Sequence, residues 1–204
     1  MAKLTMTTFL TLDGVMQAPG GPGEDKSGGF KQGGWLVPFA DLDMGHLVTR
    51  WFREADAFLL GRGTYEVFAA HWPRVRDPGD DVATSLNALP KYVASRTLEK
   101  ATWTGTTIIR DVVSEVTTIK KRYQREVQVH GSAGLAQTLL QHGLVDEFRL
   151  WIYPVILGQG KRLFAEGTVP TSFKHVETHT TSTGVVVAVY RPEGKPMHDS
   201  LMYD

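Results

Sequence analysis

The chain has 204 residues, 22 Lys plus Arg balanced by 22 Asp plus Glu, no cysteine and 42% hydrophobic content. That length suits one domain, and the even charge provides no field that would draw a nucleic acid or an anionic membrane surface. Disulfides and thiolate chemistry are excluded, and no stretch reaches the ~18 uninterrupted apolar residues of a spanning helix, so a cytoplasmic protein with neither membrane nor nucleic-acid partners is expected.

In chain order, "KLTMTTFLTLD" alternates Leu4, Met6, Leu10 and Leu12 with Lys3, Thr5, Thr7 and Thr11, a period-2 strand. The N-terminus interrupts its apolar residues with threonine too often for a secretory leader. Residues 14–34 carry eight glycines and two prolines. They cannot be regular structure and read as a lid, a binding loop or a loose insertion. From Asp41 the spacing turns helical, with Leu47, Val48, Trp51, Phe52 and Ala55 on one stripe. "DAFLLG" reads as a buried strand and "TYEVFAAHW" as a helix. "KYVAS" and "TTIIR" are strands, "SEVTTIKKRY" a charged helix, "VQVHG" a strand and "GLAQTLLQHG" a helix. "EFRLWIYPVILG" reads as one long strand, and "SFKHVETHTT" with "GVVVAVYR" as a closing antiparallel pair. Strands alternating with helices predict an α/β protein whose mostly parallel sheet has helices on both faces. A single domain is expected over 1–192, with 193–204 a terminal tail.

In open α/β sheets ligands bind beyond the carboxyl ends of parallel strands. Three such ends carry glycines, hydroxyls or arginines: Gly61-Arg62-Gly63-Thr64, Ser95-Arg96-Thr97 and His130-Gly131-Ser132-Ala133-Gly134. Glycine lets backbone amides approach an oxyanion, a following helix contributes the positive end of its dipole, and arginine presents a planar fork. Each feature alone is weak, since a strand–Gly–helix turn is usually only a tight turn. Their coincidence at three ends points to a nucleotide phosphate site. Two common phosphate motifs are absent. "GRGTYE" has Glu66 where a dinucleotide fingerprint needs its third glycine, and "LGQGKRLF" has Arg162 after Gly160-Lys161 and Val155 at the first glycine position of a P-loop.

Four segments, "LDG", "GRGTYE", "ASRT" and above all "VHGSAGLAQTLLQHGLVDEFRLWIYPVILGQGKRLF", carry a resemblance from about Lys3 to Tyr190. The chain resembles the dihydrofolate reductase-like superfamily, and most closely the C-terminal reductase domain of the bifunctional riboflavin biosynthesis deaminase–reductase. The resemblance implies a dihydrofolate reductase-like fold, a homodimer, and NADPH lying across the strand ends. Gly131 and Ser132 would leave room for the pyrophosphate, with the amides of Ala133, Gly134 and Leu135 directed at it. Gly61, Arg62, Gly63 and Thr64 would meet phosphate from the other side, and Ser95, Arg96 and Thr97 would hold the adenosine end. The implied reaction is hydride transfer to a small heterocycle, with 5-amino-6-(5-phosphoribosylamino)uracil as the family's example. A dihydrofolate or pterin reductase, or a non-catalytic NADP-binding paralogue, stands as the alternative.

The superfamily's Trp-x-x-Pro-x-Asp segment is similar to Trp35-Leu36-Val37-Pro38-Phe39-Ala40-Asp41, which holds one extra residue before the acid. This makes Trp35 a substrate contact and Asp41 the catalytic acid, with Asp43 competing for the acidic position. Asp41 fits a helix N-cap equally well. Asp13, where the first strand meets the glycine-rich loop, is either a second catalytic carboxylate or a turn residue. His130 fits a structural role or a cofactor contact. His175 and His179 share a strand face without a third ligand, so no metal is expected.

Overall fold

The computed structural model describes residues 1–199, so the end of the expected tail, 200–204, lies outside the described residues. Eight strands form one sheet: β1 (Lys3–Thr11), β2 (Ala55–Gly61), β3 (Lys91–Ala94), β4 (Thr106–Ile109), β5 (Glu126–His130), β6 (Glu147–Tyr153), β7 (Ser172–Thr180) and β8 (Val186–Gly194). Their order across the sheet is β4-β3-β2-β5-β1-β6-β8-β7. The first six run parallel, whereas β8 is antiparallel to both β6 and β7. The mixed sheet with its closing antiparallel pair is the architecture expected from the sequence.

Five helices cover the two faces: α1 (Leu42–Phe52), α2 (Arg62–His71), α3 (Asp81–Ala88), α4 (Val112–Arg122) and α5 (Ala133–Gln141). Strand alternation divides the core between them. Leu4, Met6, Ala57, Leu59, Phe148 and Leu150 pack with Val116 and Ile119 of α4 and Leu135, Ala136 and Leu139 of α5. On the opposite face, Phe58 and Leu60 meet Phe52, Tyr65 and Leu86, which belong to α1, α2 and α3. Trp151 and Tyr153 lie on that same face, against Trp35 and Trp51.

Four local expectations need correction. Helix α3 was not anticipated; its Ala83 and Leu86 are buried and Val82 is partly buried, but its remaining side chains are small or polar and leave a faint apolar stripe. Strand β6 stops at Tyr153 instead of running through "PVILG", because Pro154 has no N–H to give the ladder. Ala55 belongs to β2, since α1 ends at Phe52. The closing strand β8 also continues to Gly194, drawing the first tail residues into the sheet.

The glycine-rich segment is packed, not loose. Val15, Met16, Gln17, Ala18 and Phe30 are buried. Gln17 Nε2 donates to the carbonyls of Asp25 and Ser27 at 3.2 and 3.0 Å, and its Oε1 accepts from Lys161 N at 3.1 Å. Trp35 Nε1 donates to Gln17 O at 2.8 Å. One buried side chain thus fixes the segment as a wall standing over the carboxyl end of β1.

At the starts of the strands, remote from that wall, Arg149 bridges Glu126 at 2.6 Å and Glu147 at 3.1 Å, and its guanidinium lies 4.7 Å from the Trp51 ring centre. Two carboxylates and an indole face compensate a charge that would be costly to bury alone. Among the described residues no helix is long and apolar enough to cross a membrane.

Candidate functional site

A cleft of about 1270 Å³ opens over the carboxyl ends of β4, β3, β2, β5 and β1. Its walls reveal a division among the helices. Asp41 caps α1, Asp80 caps α3 and Asp111 caps α4, each carboxylate accepting from an amide of the first turn. Helices α2 and α5 begin with no side-chain cap, after Gly61 and Ser132 respectively. Both of these starts line the cleft. A helix start leaves its first amides unpartnered; the start of α4 also lines the cleft, but its first amides are taken by Asp111, so those of α2 and α5 are the ones left without a carboxylate there.

The junction is built tightly. Gly131 has φ +56° and Ser132 φ +68°, so the chain turns left-handed directly between β5 and α5. Ser132 Oγ accepts from Gly61 N at 2.9 Å and donates to Thr64 Oγ1 at 2.6 Å. A Cβ on Gly61 would sit 2.7 Å from Ser132 Cβ and Oγ. Glycine is required there by the close approach of the two turns.

Three arginines gather at one end. Arg62 and Arg96 line the cleft, as expected from the sequence, and Arg110 joins them. Arg62 Nη1 donates to Thr97 Oγ1 at 2.7 Å and its Nε pairs with Glu66 at 2.7 Å. Thr97 therefore holds Arg62 from behind and is not itself among the lining residues. Arg110 donates to Ser95 O at 2.7 Å and Leu98 O at 2.8 Å, clamping the turn after β3. It ends the strand "TTIIR", and reading that exit like the other three would have found it.

Of the residues expected from the sequence, the structure brings Gly61, Arg62, Gly63, Thr64, Ser95, Arg96, Gly131, Ser132, Ala133, Gly134 and Leu135 into one cleft. The acceptor-side residues Asp13, Trp35, Asp41 and Asp43 lie outside that lining. Asp41 accepts from Met44 N at 2.8 Å, Ser182 Oγ at 2.9 Å, and Thr183 N and Oγ1 at 3.1 and 2.9 Å. It caps α1 and fastens it to the turn between β7 and β8, and the amide of Met44 foremost, with the two hydroxyls, holds its carboxyl well below the usual range. Asp43 accepts from Ser182 N at 2.9 Å in the same fastening. Asp13 takes the Thr11 hydroxyl at 2.6 Å and the amides of Leu157 and Gly158 at 3.2 and 2.8 Å. Those donors, Thr11 first, bring it down to about 2. Trp35 is buried edge-on against Tyr153.

The acids that do line the cleft beside the loop are Glu24 and Asp25, the only two in the glycine-rich segment. Their signal was composition: carboxylates standing in a stretch otherwise made for close backbone turns. His130 closes the floor beneath Phe52 and Phe58. Burial, with Arg149 nearby, lowers it to about 3, so it faces the cleft as a neutral imidazole.

The family model described as the RibD C-terminal domain matches residues 2–187. The chain belongs to the RibD C-terminal domain family. Within the reach of that family it is 31% identical over 194 residues to the uncharacterized protein YyaP of Bacillus subtilis (strain 168), covering 94% of this chain and 96% of that one. Its backbone is similar to a putative riboflavin biosynthesis protein from Shewanella sp. PV-4, with a TM-score of 0.70 and 19% identity over 95% of this chain and 99% of that one. It also resembles dihydrofolate reductase from Enterococcus faecalis complexed with NADP(H) and RAB-propyl, with a TM-score of 0.59 and 14% identity over 93% and 96% of the two chains. This member of the RibD C-terminal domain family therefore has a dihydrofolate reductase-like fold.

Proposed function

We propose that the protein is an NADPH-dependent reductase, a cytoplasmic homodimer that reduces a small heterocyclic acceptor in the manner of the riboflavin-pathway reductase. The observation that carries this is the pair of uncapped helix starts, α2 and α5, meeting across one cleft while the other three α-helices of the described residues are closed by an aspartate. Unpartnered amides at a helix N-terminus suit an anion, and two such starts joined by Ser132 suit a pyrophosphate. Arg96 and Arg110 lie on the side where an adenosine phosphate would extend, with Arg62 between. The cleft volume exceeds the usual range of about 300–1,000 Å³ for small-ligand pockets, as an extended dinucleotide requires.

Reduced nicotinamide supplies the hydride in such a site. What falls to the protein is to orient and to exclude water. Gly131 and Ser132 keep side chains away from the phosphate wall, Phe9 and Met16 give the floor an apolar stretch, and the packed glycine-rich segment closes the far side. His130, neutral and backed by Gln128 Oε1 at 3.2 Å from Nε2, adds no charge to the floor.

The test uses the five tryptophans. Energy transfer from tryptophan to reduced nucleotide is expected on titration with NADPH, at lower concentration than with NADH, and oxidation of NADPH is expected on screening aminouracils and pterins. Absence of a signal from either nucleotide would remove the coenzyme and the reductase reading together.

A further inference from the structure

Charge is spread unevenly along the cleft. Arg62, Arg96 and Arg110 stand with Glu66 and Asp111 over the ends of β2, β3 and β4, three cations to two carboxylates, whereas Glu24 and Asp25 stand with a single lysine on the glycine-rich wall beside β1. The cation on that wall, Lys161, is held by Asp25 at 2.6 Å. Glu24 forms no ion pair among the described residues; its Oε2 accepts from Gly20 N at 2.7 Å. Between the two ends Thr8, 1% exposed, lines the cleft with a buried hydroxyl that has no hydrogen-bond partner in the protein. Such a hydroxyl is unusual unless something else comes to satisfy it.

We propose that the acceptor end is specific for unphosphorylated heterocycles, with Glu24 the residue that sets this preference by welcoming ring N–H donors and repelling a phosphate. The inference rests on the reductase reading and narrows its substrate class. The arginines lie at the coenzyme's end, so none is left for a phosphate on the acceptor. At the other end a phosphate dianion would face two carboxylates with one lysine already committed. A half-buried carboxylate without a cation is favoured by charge-assisted hydrogen bonds from an aminopyrimidine edge. Burial also raises the Glu24 carboxyl above its ordinary value, against the pull of the Gly20 and Gly21 amides, as expected where no cation comes near. Thr8 would complete the contact from the floor. The phosphoribosyl acceptor of the family's example would then be a poor fit for this chain.

The experiment measures binding to the NADP⁺-loaded protein, so that the arginine end is filled. The probes are 2,4-diaminopyrimidine, which presents N–H donors, and uridine 5′-monophosphate, which carries the phosphate. At least tenfold tighter binding of diaminopyrimidine is expected, and Glu24→Gln should reduce that ratio fivefold or more. Gln keeps an acceptor oxygen for Gly20 N, and retained NADP⁺ binding by the variant reports an intact fold. The proposal is overturned if diaminopyrimidine does not bind, if the monophosphate binds as tightly, or if Glu24→Gln leaves the ratio unchanged. Failure of the wild-type protein to bind NADP⁺ is a different result, which removes the reductase reading and this proposal with it.

Discussion

Ser132 and Gly61 are joined by a hydrogen bond of 2.9 Å from the Gly61 amide to the Ser132 hydroxyl, which in turn donates to Thr64 Oγ1 at 2.6 Å. One side chain in a left-handed turn thereby fixes the start of α2 against the start of α5. Gly61→Ala would place a methyl group 2.7 Å from Ser132 Cβ and Oγ, on a strand end that cannot yield. Overpacking of this kind costs about 1–3 kcal/mol. A lower melting temperature and weaker NADPH binding are expected together. Ser132→Ala, which removes the link without a clash, should lose more in coenzyme affinity than in stability. Equal effects of both variants on stability alone would show that the junction is only structural.

The arginine end is where the two nicotinamide coenzymes are expected to differ. Arg96 lines the cleft near Asp111, whose carboxyl is held low by Ser114 foremost, with a smaller contribution from Arg96. If it meets the 2′-phosphate, Arg96→Ala removes a charge-assisted hydrogen bond, worth about 1.5–3 kcal/mol, from NADPH alone. Affinity for NADPH should fall at least tenfold while that for NADH changes little, by titration of tryptophan fluorescence. Equal losses would assign the 2′-phosphate elsewhere, Arg110 being the next residue to test.

Thr8 offers an opposite pair of effects. Its hydroxyl is buried without a protein partner, a condition that costs about 1–3 kcal/mol relative to an apolar group of the same shape. Thr8→Val should therefore raise the melting temperature of the ligand-free protein. The same variant should bind the coenzyme–acceptor pair more weakly, because the valine methyl cannot satisfy what the hydroxyl awaited. A variant more stable and equally active would place Thr8 outside the reaction.

Much of this was legible in the chain. Period-2 alternation marked β1, and glycines at three strand exits marked much of the cleft wall. What stayed hidden has physical causes. Helix α3 buries only Ala83 and Leu86, so its stripe is faint, although Asp80 before Asp81 was a visible cap. Strand β6 was drawn too long because the apolar run outlasts the ladder, which Pro154 interrupts. The acceptor side stayed open for a deeper reason. A catalytic acid and an N-cap ask for the same residue type just before a helix, and spacing cannot say which neighbours the carboxylate meets. Only the fold brings Ser182 and Thr183, some 140 positions away in sequence, onto Asp41.

That convergence makes Asp41 a test of position against chemistry. Its oxygens collect one helix amide and three donors from the β7–β8 turn. The bound donors favour the charged form, so the folded-state pKa lies below the unfolded value of 3.8. A depressed carboxylate contributes stability that is present above the unfolded pKa and lost as pH falls through and below it. Unfolding measured from pH 6 downward should show the wild-type protein losing this contribution below about pH 4, while Asp41→Asn, which cannot ionise, starts lower at neutral pH and loses less on acidification. Coenzyme binding by the variant at pH 7 should match wild type, since Asp41 is not part of the cleft wall. If instead Asp41→Asn keeps full stability and abolishes NADPH oxidation with an acceptor that wild type turns over, the carboxylate acts in the reaction, and α1 must move to bring it there.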